Sequence, residues 1–242
     1  TKGLDAEDLR LIEVYKERFE LAGANLTDAQ KVEMKKINGE LATLSNTFTS
    51  KILEARKNGG VYISDVKEID GLSADEIAAM AKDAKDAGKD GQYLLTLLNT
   101  TQQPMLQNLT NRATREKLFK ASVERAQKGD ANDTRSTLET IARLRMEKAH
   151  LMGKKSYAEL NLLDQMAKKP ENALGLLSQL AKPAVAQATV EAADIQKLID
   201  SQKGGFKLEP WDWNFYSEQV RKAKYDLDQN EIKPYFEVNT VL

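Results

Sequence analysis

Leu11, Tyr15, Phe19 and Ala22 recur every three to four residues, a spacing that returns apolar side chains to one face of a helix and predicts a first amphipathic helix ending near Gly23. Thr27-Asp28-Ala29-Gln30 has the form of a capping box, in which the threonine hydroxyl accepts from the third amide and the glutamine reaches back. Behind it, Met34, Ile37, Leu41, Leu44, Phe48 and Ile52 keep the period up to Asn58-Gly59-Gly60, predicting a long helix of about eight turns. Pro170 opens a second long stripe, Leu174, Leu177, Ala181, Ala184, Ala188, Ile195 and Leu198, running to Gly204-Gly205 at nearly heptad spacing. Its alanines permit close approach of another helix, and Pro183 is expected to bend it because the ring removes an amide and crowds the preceding turn. Such stripes also suit a coiled-coil dimer. Packing within the chain is the favoured reading, since shorter amphipathic helices nearby need partners.

Between the long helices the period changes. Val61-Tyr62-Ile63 is short and rich in strand formers, and Gln92 to Leu98, bounded by Gly91 and Asn99, reads as a buried strand to pair with it. Ser73-Ala74-Asp75-Glu76 is a capping box for a helix through Ile77, Met80 and Ala84 to Gly88. Pro104 suits the start of a helix carrying Met105, Leu106 and Leu109, and Leu118, Phe119, Val123 and Ala126 define another closed by Gly129. From Asp133 a helix carries Leu138, Ile141, Leu144 and Ala149 to Gly153, and Ser156 to Glu159 cap the next. Pro210 starts a further helix, and Asp228-Gln229-Asn230-Glu231 caps a last one entering Lys233 to Phe236. The predicted fold is mostly α, with two long helices and a small sheet of two or three strands.

Composition narrows the chemistry. At 242 residues, 41% hydrophobic and 30% charged, with 13 glycines and 5 prolines, the chain has the balance of a globular protein and few helix breakers. A formal net charge of −1 with interspersed signs provides no field to recruit nucleic acid or an anionic membrane. The absence of cysteine excludes disulfides, thiolate metal sites and a cysteine nucleophile. His150 is the one histidine. Glu147 and His150 have the Glu-x-x-His spacing of a di-iron bundle, but a second copy of that motif has no histidine to use, so a surface or helix-end His150 is favoured. No Gly-x-Ser-x-Gly elbow occurs, and Gly153-Lys154-Lys155-Ser156 lacks both the glycine and the strand of a phosphate loop, leaving a helix stop followed by a cap. Carboxylate pairs such as Asp83 with Asp86 and Glu116 with Glu124 sit among lysines and read as solvated faces. The N-terminus has no initiator methionine, positive leader or apolar core of a signal peptide, as expected of a piece of a longer polypeptide. The densest feature is aromatic: Trp211, Trp213, Phe215, Tyr216 and Tyr225, then Tyr235 and Phe236. Such a block serves either as a core junction beside the second long helix or as one wall of a ligand cleft.

The block from Leu208 to Arg221, with Lys224 to Asp228 and Ile232 to Phe236, resembles the thimet oligopeptidase (M3) family of zinc metallopeptidases, and among them the bacterial members that release C-terminal dipeptides. Phe19 to Leu26, Asn111 to Leu118 and Arg143 to Gly153 are similar to the family's helical region in the same order, so the resemblance covers essentially the whole chain. It implies a two-lobed, mostly helical, neurolysin-like peptidase with a deep channel that admits short unfolded peptides. Family catalysis uses a His-Glu-x-x-His helix and a downstream glutamate to hold zinc and activate water. The sequence reaches Val241-Leu242 without that motif. No catalytic, cofactor-binding or metal residue is therefore expected in this chain, His150 included; zinc belongs to the full-length parent. Residues 1–242 are expected to form one helical lobe, with a possible subdivision near 100–115 and residues 206–242 starting the connection to a catalytic lobe outside the chain. The apolar tail from Phe236 to Leu242 is expected to pack on that lobe. The expected partners are short peptides and that lobe, with no nucleic acid and no membrane; the expected compartment is the cytoplasm, with the periplasm as the alternative. A free-standing helical scaffold or interaction protein is the competing reading.

Overall fold

A computed structural model of the chain describes residues 3–98, 102–225 and 233–238. Its helices are α1 (Ala6–Leu21), α2 (Asp28–Asn58), α3 (Ala74–Asp86), α4 (Arg112–Val123), α5 (Arg135–Leu151), α6 (Tyr157–Asn161), α7 (Pro170–Ser201) and α8 (Pro210–Tyr225); the strands are β1 (Val61–Ile63) and β2 (Tyr93–Leu95). The fold is mostly α, and α2 and α7 are the two long helices that the periodicity predicts. Two compact units divide the chain: Thr1–Lys51 with Asp133–Leu180, and Ile52–Asn132 with Ala181–Leu242.

In the first unit, the Thr27 box closes α2 as expected: the Gln30 amide donates to Thr27 Oγ1 at 3.3 Å and the Thr27 amide donates to Gln30 Oε1 at 3.0 Å. A second box that the sequence reading missed starts α1, where the Asp8 amide donates to Asp5 Oδ1 at 2.9 Å. The buried apolar side chains are Met34 and Ile37 of α2, Ile141, Leu144 and Ala149 of α5, and Leu160 of α6. Lys148 donates to Asn38 Oδ1 at 2.8 Å, tying α5 to α2. Every described residue of α1 keeps some exposure; none is buried.

The second unit holds the main core. β1 and β2 pair antiparallel, with Val61 opposite Leu95, Tyr62 opposite Leu94 and Ile63 opposite Tyr93. The partner segments meet as expected, but the strand foreseen from Gln92 to Leu98 is limited to Tyr93–Leu95, because β1 offers only three residues to pair with. Ile63, Ile69, Leu72, Met80, Leu95, Leu97, Leu106, Leu109 and Leu118 form one buried cluster. Gly71 (φ +94°) threads past it where an added Cβ would lie 2.0 Å from the Asn108 carbonyl oxygen. The helix expected from Pro104 is a single 3-10 turn, Pro104–Gln107. The chain then turns to place Leu109 in the core, and the Asn111 side chain accepts from the Thr114 amide at 3.1 Å to start α4 afresh.

α7 continues unbroken through Pro183. Its stripe is covered only toward the C-terminal end, where Ile195 and Ile199 are buried with Tyr216 among Phe206, Trp213, Phe215 and Val220. Farther back no such packing is found among the described residues, and Leu174 is 61% and Leu177 60% exposed. Pro210 opens α8 as expected. The cap expected at Asp228 to Glu231 lies outside the described residues.

Candidate functional site

The aromatic block becomes the start of α8, and one acidic residue within it organises the surroundings. Asp212 sits in the first turn of the helix with its side chain wholly buried. A buried carboxylate needs charged donors to replace water, and α4 supplies them from positions three residues apart on one face. Arg112 donates through Nε to both oxygens at 3.1 Å and through Nη2 to Oδ2 at 2.9 Å; Arg115 Nη2 donates to Oδ1 at 2.9 Å. The Glu209 amide donates to Oδ2 at 3.3 Å, so the same carboxylate also closes the N-terminus of α8. Arg115, 1% exposed, spends its other terminal nitrogen on the carbonyls of Leu109 and Thr110 at 2.9 and 3.0 Å.

Aromatic rings complete the enclosure. The Arg112 guanidinium lies 4.1 Å from the centre of the Phe206 ring and that of Arg115 lies 4.3 Å from Phe215, distances at which the ring faces attract cations. Trp211 meets Phe119 edge-on at 6.3 Å and lies 5.4 Å from the Lys120 ammonium. Both Asp212 oxygens are occupied by guanidinium donors, so this carboxylate is spent on holding two arginines. Its geometry is that of a joint between α4 and α8. Neither reading of the aromatic block takes all of it, since Trp213 and Tyr225 also wall a small cleft of about 190 Å³ between α7 and α8, beside Asp194, Val220 and Lys224. There the Asp194 carboxyl is held below its ordinary range, first by the hydrogen bond from Lys197 at 3.1 Å and then by Lys224 at 3.8 Å.

The remaining candidates are dispersed. His150 is exposed in the last turn of α5, and Glu147 pairs with Arg143 at 2.6 Å. Gly153 (φ 69°) stops α5 while the Lys154 amide donates to the Ala149 carbonyl at 2.8 Å, and Ser156 Oγ accepts from Glu159 to start α6. Asp86 pairs with Lys82, and Glu116 with Lys120, each at 2.6 Å on an exposed face. Among the described residues no three His, Asp or Glu side chains converge as metal ligands.

Arg112, Arg115 and Asp212 are the side chains that the sequence reading did not single out. Their available signal was an asparagine cap, Asn111, followed by two arginines on one helical face, and an aspartate set among aromatic residues.

Residues 105–242 match the model of Peptidase family M3. Over 240 residues, 99% of this chain, the sequence is 49% identical to a dipeptidyl carboxypeptidase of Escherichia coli and 45% identical to that of Salmonella typhimurium. A probable cytosolic oligopeptidase A of Arabidopsis thaliana is 34% identical over 96% of the chain. The chain spans about a third of the length of these relatives, 35% of each bacterial protein and 34% of the plant one. Matched over more than half its length by the family's model and nearly end to end by these relatives, the chain belongs to peptidase family M3, the thimet oligopeptidase family that its Pro-Trp-Asp block resembles.

Proposed function

We propose that these 242 residues serve as the framework and channel wall of a zinc metallopeptidase that removes dipeptides from the free C-terminus of oligopeptides. The observation that carries this reading is the end-to-end match to proteins described as dipeptidyl carboxypeptidases, of which the chain covers 35%. Its own side chains support a framework role: the buried charged cluster joins helices, and His150 is exposed at a helix end. In this reading residues 1–242 form one helical lobe, residues 206–242 begin the connection to a catalytic lobe, and zinc and its general base are held beyond them. Zinc supplies a polarised water when bound; this chain contributes walls that admit unfolded peptides. A name given as cytosolic to the Arabidopsis relative supports a cytoplasmic setting, and no described helix is long and apolar enough to cross a membrane.

The test is incubation of this chain with a blocked tripeptide and zinc. No turnover above a protein-free control is expected, and turnover overturns the assignment. The gene downstream of Leu242 distinguishes the competing scaffold reading, since a His-Glu-x-x-His codon run is expected only for the peptidase.

A further inference from the structure

α7 leaves the apolar half of an amphipathic helix in water. Leu174, Leu177, Ala181, Ala184 and Ala188 return to one side at spacings of three and four, and Gln179, Lys182 and Thr189 fall on the other. Leu180 and Val185 flank the apolar stripe and are 56% and 66% exposed. From Ala173 to Val190 the one charged residue is Lys182, on the polar side, whereas Lys168, Lys169 and Glu171 precede the stretch and Glu191 and Asp194 follow it. An uncharged centre between charged ends has the composition of an interface. The same stripe becomes core at Ile195 and Ile199, where it has a partner.

We propose that this face docks on an apolar helical surface in the part of the peptidase polypeptide outside these 242 residues. The inference rests on the proposed function, and the length of the relatives supports it: they match this chain nearly end to end, yet about two thirds of the dipeptidyl carboxypeptidase sequence lies outside the match. A partner on the same polypeptide acts at a high effective concentration and so outcompetes a second copy for the same face. The alanines at 181, 184 and 188 allow that partner to approach closely, and Leu174 and Leu177 supply the larger anchors.

The absence of cysteine from the chain permits a labelling test. Leu177→Cys, on the face, and Gln179→Cys, opposite it, are made both in this chain alone and in the longer polypeptide that contains it. Reaction with a polar maleimide is followed by mass spectrometry of the peptide around each position. In the chain alone the two thiols are expected to react alike; in the longer polypeptide the Leu177→Cys thiol is expected to slow at least about tenfold and the Gln179→Cys thiol to be unchanged. Equal rates in the longer polypeptide overturn the proposal. Slowing in the chain alone that grows with its concentration also overturns it, because a second copy is then the occupant. As an independent reading, Leu174→Asp with Leu177→Asp is expected to lower the Tm of the longer polypeptide and leave that of the chain alone unchanged; equal Tm effects overturn the docking. Failure of the longer polypeptide to release dipeptides would defeat the proposed function, while the labelling rates would still decide the docking.

Discussion

Two guanidinium groups take the place of water around the Asp212 carboxylate, which lies where solvent does not reach. Removing the carboxylate strands Arg115, which has no solvent to retreat to. Asp212→Ala is expected to cost about 3–5 kcal/mol, and Arg112→Ala clearly less, since the Arg112 side chain is already 34% exposed. Urea denaturation of the two variants checks the order; equal losses would mean that both arginines depend on the pair alike. Lys148 gives a pH-dependent case. Burial lowers its pKa below the ordinary lysine value while it donates to Asn38. A lysine whose folded pKa is depressed weakens the fold while protonated, and the fold recovers stability as pH rises through that folded pKa toward the unfolded one. Lys148→Gln retains a donor for Asn38 and removes the charge, so it is expected to exceed the parent in stability at neutral pH and lose that advantage as pH becomes alkaline. Denaturation curves across that range check the sign. At this scale the sequence had limited reach: Arg112 and Asp212 are 100 residues apart, and spacing alone does not distinguish arginines that will be buried from a solvated basic face. By contrast, the helix-end place of His150 was readable, because a lone histidine without a second motif has few chemical roles.

Helix starts were readable at Thr27, Ser73 and Ser156, where a hydroxyl accepts from an amide three residues on, but the same spacing at Asp5 and Asn111 was passed over. Ser73 and Glu76 form the expected reciprocal pair, with the Glu76 amide donating to Ser73 Oγ at 3.3 Å and the Ser73 amide donating to Glu76 Oε2 at 2.8 Å. Ser73→Ala is expected to cost about 1 kcal/mol, measured by thermal or urea unfolding; no loss would mean that the core contacts of Met80 and Ala84 alone fix the start of α3. Pro104 was misread because a proline fits the first turn of either a 3-10 or an α-helix. Continuation was decided by Leu106 and Leu109 both entering the core, which no local signal announces. The extent of β2 was misread for a related reason: an apolar run shows that Leu94, Leu95 and Leu97 are buried but not where pairing stops. Pro183 tests element stability in the opposite direction. Its ring supplies no amide to the Gln179 carbonyl inside a 32-residue helix, and proline in a helix interior is about 3 kcal/mol less favourable than alanine. Pro183→Ala is expected to raise thermal stability and helical content, and a lower Tm would show that α7 needs the proline geometry.

Burial is distributed unequally over the whole molecule. The second unit contains both apolar clusters, one around Ile69, Leu95 and Leu118 and the other around Ile195, Ile199 and Tyr216. The first unit relies on scattered side chains such as Met34, Ile37 and Leu144, while Leu11, Ile12, Tyr15 and Phe19 of α1 and Leu174 and Leu177 of α7 remain in water. The periodicity made every one of these stripes legible, but a stripe states that a partner is needed and not whether this chain contains it. Local stability follows burial, so the first unit is expected to unfold at lower urea than the second. Both tryptophans, Trp211 and Trp213, lie on α8 in the second unit. Selective tryptophan fluorescence therefore reports that unit, whereas far-ultraviolet circular dichroism reports the helices of both. Helical signal is expected to fall at urea concentrations where the tryptophan signal is still native, giving two non-coincident curves. Coincident curves would mean that α2 and α7, each of which runs through both units, bind them into a single cooperative transition strong enough to offset the sparse burial of the first.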